Sequence, residues 1–281
     1  MIFWFADYRQ WKPIFNLAAR SGQTAQIAES KFDNINLQAK AAYVFDIPEN
    51  RPLFEKNSDA QLALASITKI MTAVVAEENL PSYLLITIPL EAILQEGDEG
   101  FLAGEQWQIN ELIDAMLISS SNDAAFALAF EYDKNFPGKD NFVSLMNRKA
   151  EELGLMQTYF MNPTGLDLSE NNAGAYGSAK DIAKLFIYAI KNHPSLIEAT
   201  RLGEINLHSR KFKNTDQIIN DLAGFIAGKT GFSDLAGGNL AVIVDKGYAH
   251  PIVIVVLGST SEARFSDVKA LYQAAISDNI N

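Results

Sequence analysis

Ser66 and Lys69 stand three residues apart in the segment Ser66-Ile-Thr-Lys69. On a helix, side chains with this spacing share one face and can touch. A serine hydroxyl is a weak nucleophile until a base beside it takes its proton, and a lysine becomes such a base only where burial and nearby cations lower its pKa. Ile70 and Met71 follow the lysine, as a buried helix requires. The pair therefore fits nucleophilic catalysis, although a serine that caps a helix explains the same residues.

Two further segments carry groups that can bind or relay. Ser120-Ser-Asn122 lies between two helical patterns, where a hydroxyl can relay a proton and an amide can hold a peptide group. Lys229-Thr-Gly231 ends an apolar stretch of predicted strand, where an ammonium and a hydroxyl suit a carboxylate and a glycine admits a ligand close to the backbone. Each segment has an ordinary alternative, a helix cap for the first and a strand-ending turn for the second.

Two of these short patterns occur a second time in the chain. Ser266-Asp-Val-Lys269 repeats the serine–lysine spacing on the polar flank of the last predicted helix, and Ser169-Glu-Asn171 repeats the serine–asparagine spacing in a predicted loop. Neither repeat has an apolar helix start or a helix junction around it. We expect both repeats to be surface residues, and each pattern taken alone carries little weight.

Hydrophobic periodicity predicts the elements that position these residues. Residues 39–55 predict a hairpin with a turn at Ile47-Pro-Glu-Asn50, and apolar spacing predicts a helix from Ser66 to Ala76. The period is helical in the middle third and changes to that of strands after residue 204. The further helices are Asn110–Ser119, Asn122–Tyr132, Asn141–Leu153, Ala179–Lys191 and Glu262–Ile276, and the late strands are Glu204–Leu207, Gly224–Lys229, Asn239–Asp245 and Ile252–Leu257.

The predicted fold class is α/β in the broad sense (α+β), an antiparallel sheet flanked by helices with an inserted all-helical lobe. The early hairpin and all the late strands are expected to share one sheet. Residues 1–36 are predicted to be a lead-in segment without chemistry, and 37–281 a single domain. Its sheet lobe spans about 37–100 and 204–281, and its helical lobe about 101–203.

Composition excludes several classes of function. The chain has 34 acidic and 23 basic residues and a formal charge of −11, so we expect no binding of nucleic acid. It has no cysteine, and its three histidines are far apart in sequence, so we expect no metal and no cofactor. No apolar run approaches the ~20 residues of a spanning helix, and the start lacks the basic residue of a complete secretory signal.

The three segments, in this order and on these elements, resemble the penicillin-recognising serine enzymes with their β-lactamase/transpeptidase-like fold. The narrower resemblance, over nearly all of residues 38–275, is to the D-alanyl-D-alanine carboxypeptidases that process peptidoglycan. It rests on longer strings, which include Ala65-Ser-Ile-Thr-Lys-Ile-Met-Thr-Ala73, Leu117-Ile-Ser-Ser-Ser-Asn-Asp-Ala-Ala125, Phe160-Met-Asn-Pro-Thr-Gly-Leu-Asp167, Gly228-Lys-Thr-Gly231 and Ala236-Gly-Gly-Asn-Leu240.

The resemblance implies a role for each residue of the three segments. Ser66 would be the nucleophile, Lys69 its general base and Ser120 a proton shuttle to the leaving amine. Asn122 would bind the substrate backbone, while Lys229, Thr230 and Gly231 would form the carboxylate site. The backbone N–H groups of Ser66 and Phe232 would form the oxyanion hole. The implied partners are peptides ending in D-Ala-D-Ala and β-lactam antibiotics, and the implied location is extracytoplasmic, in the cell envelope.

The chain departs from the family pattern in two places. Leu64 stands where the family usually has a proline, so we expect a local backbone difference without lost chemistry. The chain also ends soon after Arg264, whereas many carboxypeptidases carry a further β-rich domain. This resembles the single-domain members, some of which are endopeptidases that cut cross-links.

Other functions remain open from the sequence. A class A β-lactamase needs a Glu-x-x-Leu-Asn segment whose glutamate activates the deacylating water, and no glutamate here has that context. The glutamates with leucine three positions on, but without the asparagine, are Glu77, Glu91, Glu99, Glu152 and Glu204. A non-catalytic peptidoglycan-binding domain is less favoured, because a binder needs no nucleophile and base together.

Overall fold

A computed structural model describes residues 31–32, 35–81, 83–97 and 100–277 of the chain. Most of the predicted lead-in, residues 1–30 and 33–34, lies outside these ranges. The strands are β1 Ala41–Asp46, β2 Arg51–Lys56, β3 Leu62–Ala63, β4 Leu85–Thr87, β5 Gln106–Gln108, β6 Tyr159–Phe160, β7 Ala175–Gly177, β8 Glu204–Leu207, β9 Arg210–Lys213, β10 Phe225–Ser233, β11 Gly237–Asp245 and β12 Pro251–Ser259. The helices are α1 Lys69–Asn79, α2 Ile109–Ser119, α3 Asn122–Asn135, α4 Phe142–Glu152, α5 Ala179–Asn192 and α6 Ala263–Ser277.

Five strands form the main sheet in the order β10-β11-β12-β1-β2, and every neighbouring pair is antiparallel. β10, which carries Lys229-Thr-Gly231, is therefore an edge strand with β11 on one side. Lys229 pairs with Ala241 of β11 and Thr230 with Leu240. The expected antiparallel sheet flanked by helices is confirmed.

The central strands β11 and β12 are buried on both faces, which is why their sequences are almost continuously apolar. Alternate residues face two separate cores. Val242 and Val244 pack with Val268 and Leu271 of α6, whereas Ala241 and Ile243 belong to the larger core beneath the other helices. This alternation follows from the two-residue period of a strand.

Helix α1 is the centre of the larger core. It is buried from Lys69 to Ala76 and contacts α2, α3, α4 and α5. α5 in turn packs on β1 and β12, so it joins the helices to the sheet. The lobe boundaries drawn from the sequence stay a prediction.

One predicted strand lies outside the main sheet. Glu204–Leu207 pairs only with Arg210–Lys213, forming a two-stranded hairpin that packs against α2. The expectation that it shares the sheet with the later strands is wrong. His208 and Ser209 close the turn, both with positive φ (48° and 62°). Hairpin turns of this kind usually announce themselves as Asn-Gly or Asp-Gly, so the signal was hidden.

Candidate active site

Ser66 lies in a 3-10 turn, Ala65–Thr68, that leads directly into α1 at Lys69. Neither the turn nor the helix uses a side-chain cap, and the residues at the two cap positions are Leu64 and Thr68. Lys69 Nζ instead donates a hydrogen bond to Ser66 Oγ over 2.8 Å. The capping alternative for Ser66 is therefore not what the structure contains.

The backbone before Ser66 is unusual. Ala65 has φ +47°, the left-handed region that residues with a Cβ rarely adopt, and its cost is of order 1 kcal/mol. Gly165 and Asn239 support this conformation. A methyl group on Gly165 would overlap the Ala65 carbonyl, and Asn239 Nδ2 donates to the carbonyls of Ala63 and Leu64 over 2.9 and 3.0 Å. The expected backbone difference at Leu64-Ala65 thus stays a prediction, because no related backbone is set beside it.

Lys69 is fully buried, and its ammonium nitrogen donates to three acceptors. Besides Ser66 Oγ they are Asn122 Oδ1 and the carbonyl of Thr164, each at 2.7 Å. The loop that presents Thr164 is held by Asn162, whose Oδ1 accepts from the backbone N–H groups of Thr164 and Gly165 at 3.2 and 2.7 Å. The lysine is thereby fixed between the serine, a neighbouring helix and this loop.

The junction of α2 and α3 divides its polar residues between two tasks. Ser121 is the N-cap of α3 and accepts from the N–H of Ala124. Ser120, in the left-handed conformation with φ +66°, and Asn122 point elsewhere. Ser120 Oγ accepts from Lys229 Nζ at 2.8 Å, and Asn122 Nδ2 donates to the carbonyl of Glu96 at 2.6 Å. Ser120 and Asn122 thus reach the two lysines.

Lys229 is the second buried lysine, with 1% of its surface exposed. Its ammonium donates to Ser120 Oγ and to the Thr230 carbonyl at 2.8 and 2.9 Å. Burial holds the pKa of Lys229 well below its ordinary value, the positive charges of Lys69 and Arg264 lower it further, and the carboxylate of Asp216 opposes them.

Gly231 and Phe232 continue β10 past the two polar residues. A methyl group on Gly231 would lie 2.8 Å from the Leu64 carbonyl and 3.2 Å from the Ile67 nitrogen. The glycine therefore lets the strand approach the 3-10 turn that carries Ser66, which is a different reason from the ligand contact expected from the sequence. The Phe232 side chain is exposed, as suits a residue whose proposed contribution is its backbone.

Three residues at this site carried no signal strong enough to single out in the sequence. Thr215 Oγ1 lies 2.6 Å from Thr230 Oγ1, and Arg264 donates to the Gly231 carbonyl at 2.8 Å. Asp216 is 3% exposed and lies beside Gly228. Arg264 stands just beyond the Leu257-Gly-Ser259 string that marks the end of β12, which is the one clue the sequence offered.

The repeated patterns are dispersed. Ser266 Oγ donates to the carbonyl of Ala263, and Lys269 pairs with Asp221 at 2.5 Å. Ser169 accepts hydrogen bonds within its own loop. They lack the serine–lysine contact of the first pair, in agreement with the expectation that they are surface residues.

Glutamates named as candidates for a deacylating base are engaged elsewhere. Glu77 pairs with His193, Glu152 with Lys149 and Glu204 with Lys211, at 2.8, 2.9 and 2.7 Å. Glu99 lies outside the described residues. Within the part of the chain that the structure describes, no cluster of three metal-ligating side chains exists. Nor does any helix in those residues have the length and apolarity to cross a membrane.

Comparison with solved structures identifies the class of fold. Penicillin-binding protein D2 from Listeria monocytogenes, solved in a cefotaxime-bound form, superposes with a TM-score of 0.73 and 28% identity, covering 86% of this chain and 98% of that one. The fold is that of the penicillin-binding proteins. The family model for D-alanyl-D-alanine carboxypeptidases matches residues 25–261, and the chain belongs to this family of serine peptidases.

Two curated relatives give the range of activities named within the family. D-alanyl-D-alanine carboxypeptidase DacF of Bacillus subtilis is 32% identical over 85% of this chain and 62% of its own length. The D-alanyl-D-alanine endopeptidase of Pseudomonas aeruginosa is also 32% identical, over 84% of this chain and 76% of its own. The chain therefore spans less than two thirds of the length of the first of these relatives.

Proposed function

We propose that this protein is a serine-type D-Ala-D-Ala carboxypeptidase that acts through an acyl-enzyme on Ser66. The observation that carries the proposal is the 2.8 Å hydrogen bond between Ser66 Oγ and the fully buried Lys69. A nucleophile with a base in direct contact, the base itself held by two more acceptors, is the arrangement that covalent catalysis requires.

In the proposed reaction Ser66 Oγ attacks the carbonyl carbon between the two D-alanines while its proton passes to the neutral form of Lys69. The backbone N–H groups of Ser66 and Phe232 stabilise the oxyanion. The proton reaches the leaving amine through Ser120, and D-alanine departs with both of its amine hydrogens and the transferred proton. Water then attacks the ester and returns the hydroxyl to Ser66.

The substrate lies along β10 in this proposal. The free edge of an antiparallel sheet can accept an extended peptide as an added strand. Asn122 holds a peptide group of the substrate, while Lys229 and the Thr230 hydroxyl bind the terminal carboxylate. Arg264, which acts on Lys229 electrostatically, adds positive charge to the same end of the site.

The proposed partners follow from this site. They are peptidoglycan peptides ending in D-Ala-D-Ala and β-lactam antibiotics, whose ring amide and carboxylate present the same two groups to Ser66 and Lys229. The cefotaxime-bound relative supports the second. Such substrates place the protein in the cell envelope, which is the location we propose.

Release of D-alanine tests the proposal. Purified protein should liberate free D-alanine from a synthetic peptide ending in D-Ala-D-Ala, and Ser66→Ala should liberate none. A protein that releases no D-alanine but cleaves cross-linked muropeptides would be an endopeptidase. That second function is kept because a relative with this name is as similar to the chain as the named carboxypeptidase is.

A further inference from the structure

Asp216 is a buried carboxyl group that the reaction proposed above does not use. Only 3% of its surface is exposed. Oδ1 accepts a hydrogen bond from the N–H of Ile218 at 3.1 Å. Among the residues that the structure describes, Oδ2 has no hydrogen-bond partner. A buried carboxylate oxygen without a partner costs several kcal/mol unless nearby charge compensates it, so a specific reason for its presence is expected.

The unpartnered oxygen faces the strand that carries the carboxylate site. A methyl group on Gly228 would lie 2.5 Å from Asp216 Oδ2, so the oxygen lies directly against β10 at the residue before Lys229. The preceding residue, Thr215, contacts the Thr230 hydroxyl at 2.6 Å. The segment 215–216 therefore follows the Lys-Thr-Gly strand along two consecutive positions, with the charge placed beneath Lys229.

The charges around this group have opposite effects on Lys229. Arg264 and Lys229 act on the Asp216 carboxylate, and Glu262 acts on Arg264 in turn. Lys69 and Arg264 both disfavour a charged Lys229, and burial does so more strongly than either. Asp216 is the group that acts in the other direction. Its own ionisation is opposed chiefly by burial, which raises the pKa of Asp216 to about 6.

We propose that Asp216 is a positioning residue whose carboxylate, lying against β10 beneath Lys229, keeps that lysine in its ammonium form to receive the substrate's terminal carboxylate. The proposal rests on the function proposed above. A neutral amine in the same place could donate a hydrogen bond but would lose the charge assistance that makes a carboxylate site strong. Two buried cations and one anion also leave this end of the cleft with a net positive charge when the substrate arrives.

The direct test follows the lysine itself. In protein labelled with 13Cε-lysine, the Lys229 signal, assigned by its loss in Lys229→Arg, should titrate at a pH at least about one unit lower in Asp216→Asn than in the wild type. Asp221→Asn, which removes an exposed carboxylate five residues away, is the matched control and should leave the midpoint unchanged. Equal midpoints in Asp216→Asn and the wild type would overturn the proposal.

A reciprocal measurement needs no change at Asp216. Because electrostatic coupling acts equally on both partners, removing the lysine charge in Lys229→Ala should raise the titration midpoint of the 13Cγ signal of Asp216 above its wild-type value. An unchanged midpoint would show that the two groups are not coupled. This arm decides the question even if Asp216→Asn folds poorly.

Kinetics connect the coupling to the substrate. The basic limb of kcat/KM for a peptide ending in D-Ala-D-Ala should move to lower pH in Asp216→Asn by the same amount as the Lys229 signal. A limb that does not move while the signal does would contradict the role in substrate binding. Complete absence of D-alanine release by the wild type would instead contradict the proposed function, and the two titrations would still decide the coupling.

Discussion

Ser120 and Ser121 are adjacent, chemically identical side chains with different hydrogen bonds. Ser121 caps α3, while Ser120 accepts from Lys229. The difference arises from the left-handed conformation of Ser120, which ends α2 and turns its side chain away from the next helix. The two serines therefore separate stability from chemistry at neighbouring positions.

Alanine substitutions should show this separation. Ser121→Ala removes an N-cap and should lower the free energy of unfolding by about 1 kcal/mol, with little change in acylation rate. Ser120→Ala should leave the melting temperature nearly unchanged and slow D-alanine release at least tenfold. Thermal melts and D-alanine assays on both variants check this, and equal kinetic losses would contradict the proposed role of Ser120.

Lys229 should act through the substrate carboxylate. A charge-assisted hydrogen bond of this kind is worth roughly 1.5–3 kcal/mol, so Lys229→Ala should weaken acylation by substrate or penicillin at least tenfold. The fold should survive, because a buried ammonium that costs desolvation is removed. An acylation rate equal to that of the wild type would remove Lys229 from the site.

Sequence reasoning reached some of these contacts and missed others for a physical reason. The Ser66–Lys69 contact follows from helical spacing. The contact of Lys229 with Ser120 joins residues 109 positions apart, so spacing says nothing about it. Asp216 carried no signal, because its burial beneath β10 depends on tertiary packing.

At the scale of elements, the site depends on how the 3-10 turn 65–68 meets the loop 162–165. Gly165 has φ +79°, and its missing side chain leaves room for the Ala65 carbonyl and Thr68 Oγ1. Thr164, one residue before, accepts the hydrogen bond of Lys69. Nucleophile and base are therefore positioned by the same close backbone contact.

Gly165→Ala should disrupt this contact. Its methyl group would force the turn and the loop apart, so acylation should slow at least tenfold and the melting temperature should fall. Gly154→Ala is the matched control, since Gly154 also has positive φ (+63°) but nothing within 4 Å of an added methyl group. It should cost only about 1 kcal/mol of stability and leave acylation unchanged. Equal effects of the two changes would contradict this account.

The major helices and the sheet strands were predictable because their apolar periodicity extends over many residues. The C-terminal helix, predicted over Glu262–Ile276, is found at Ala263–Ser277. Strands of two or three residues, such as β3 and β7, were not predictable. Such short strands exist only because their partners are brought together by the surrounding fold.

At the scale of the whole molecule, two buried aspartates link stability to pH. Burial raises the pKa of both Asp216 and Asp114 to about 6, and Glu198 and Glu111 contribute at Asp114. An acid whose folded-state pKa lies above its unfolded value stabilises the fold below the unfolded pKa. That stability is lost as the pH rises through the folded pKa.

The protein should therefore lose stability between about pH 4 and 6 through these groups. Asp216→Asn should raise the free energy of unfolding relative to the wild type by roughly 2–3 kcal/mol more at pH 7 than at pH 4. Asp221→Asn should show no such difference. Denaturant melts at the two pH values measure this, and a difference that does not depend on pH would contradict the assigned burial cost.

The central claim is that Ser66 is acylated with Lys69 as its base, and a covalent inhibitor tests it most directly. A β-lactam carbonyl mimics the scissile amide, and the opened ring stays tethered where it shields the ester from water. Intact-mass spectrometry after incubation with benzylpenicillin should show one added drug mass, long-lived, on the peptide that contains Ser66.

Two variants complete the measurement. Ser66→Ala should show no adduct, and Lys69→Ala should label much more slowly in protein whose circular dichroism spectrum matches that of the wild type. An adduct on Ser266, beside the similarly spaced Lys269, or full labelling of Ser66→Ala would contradict the account.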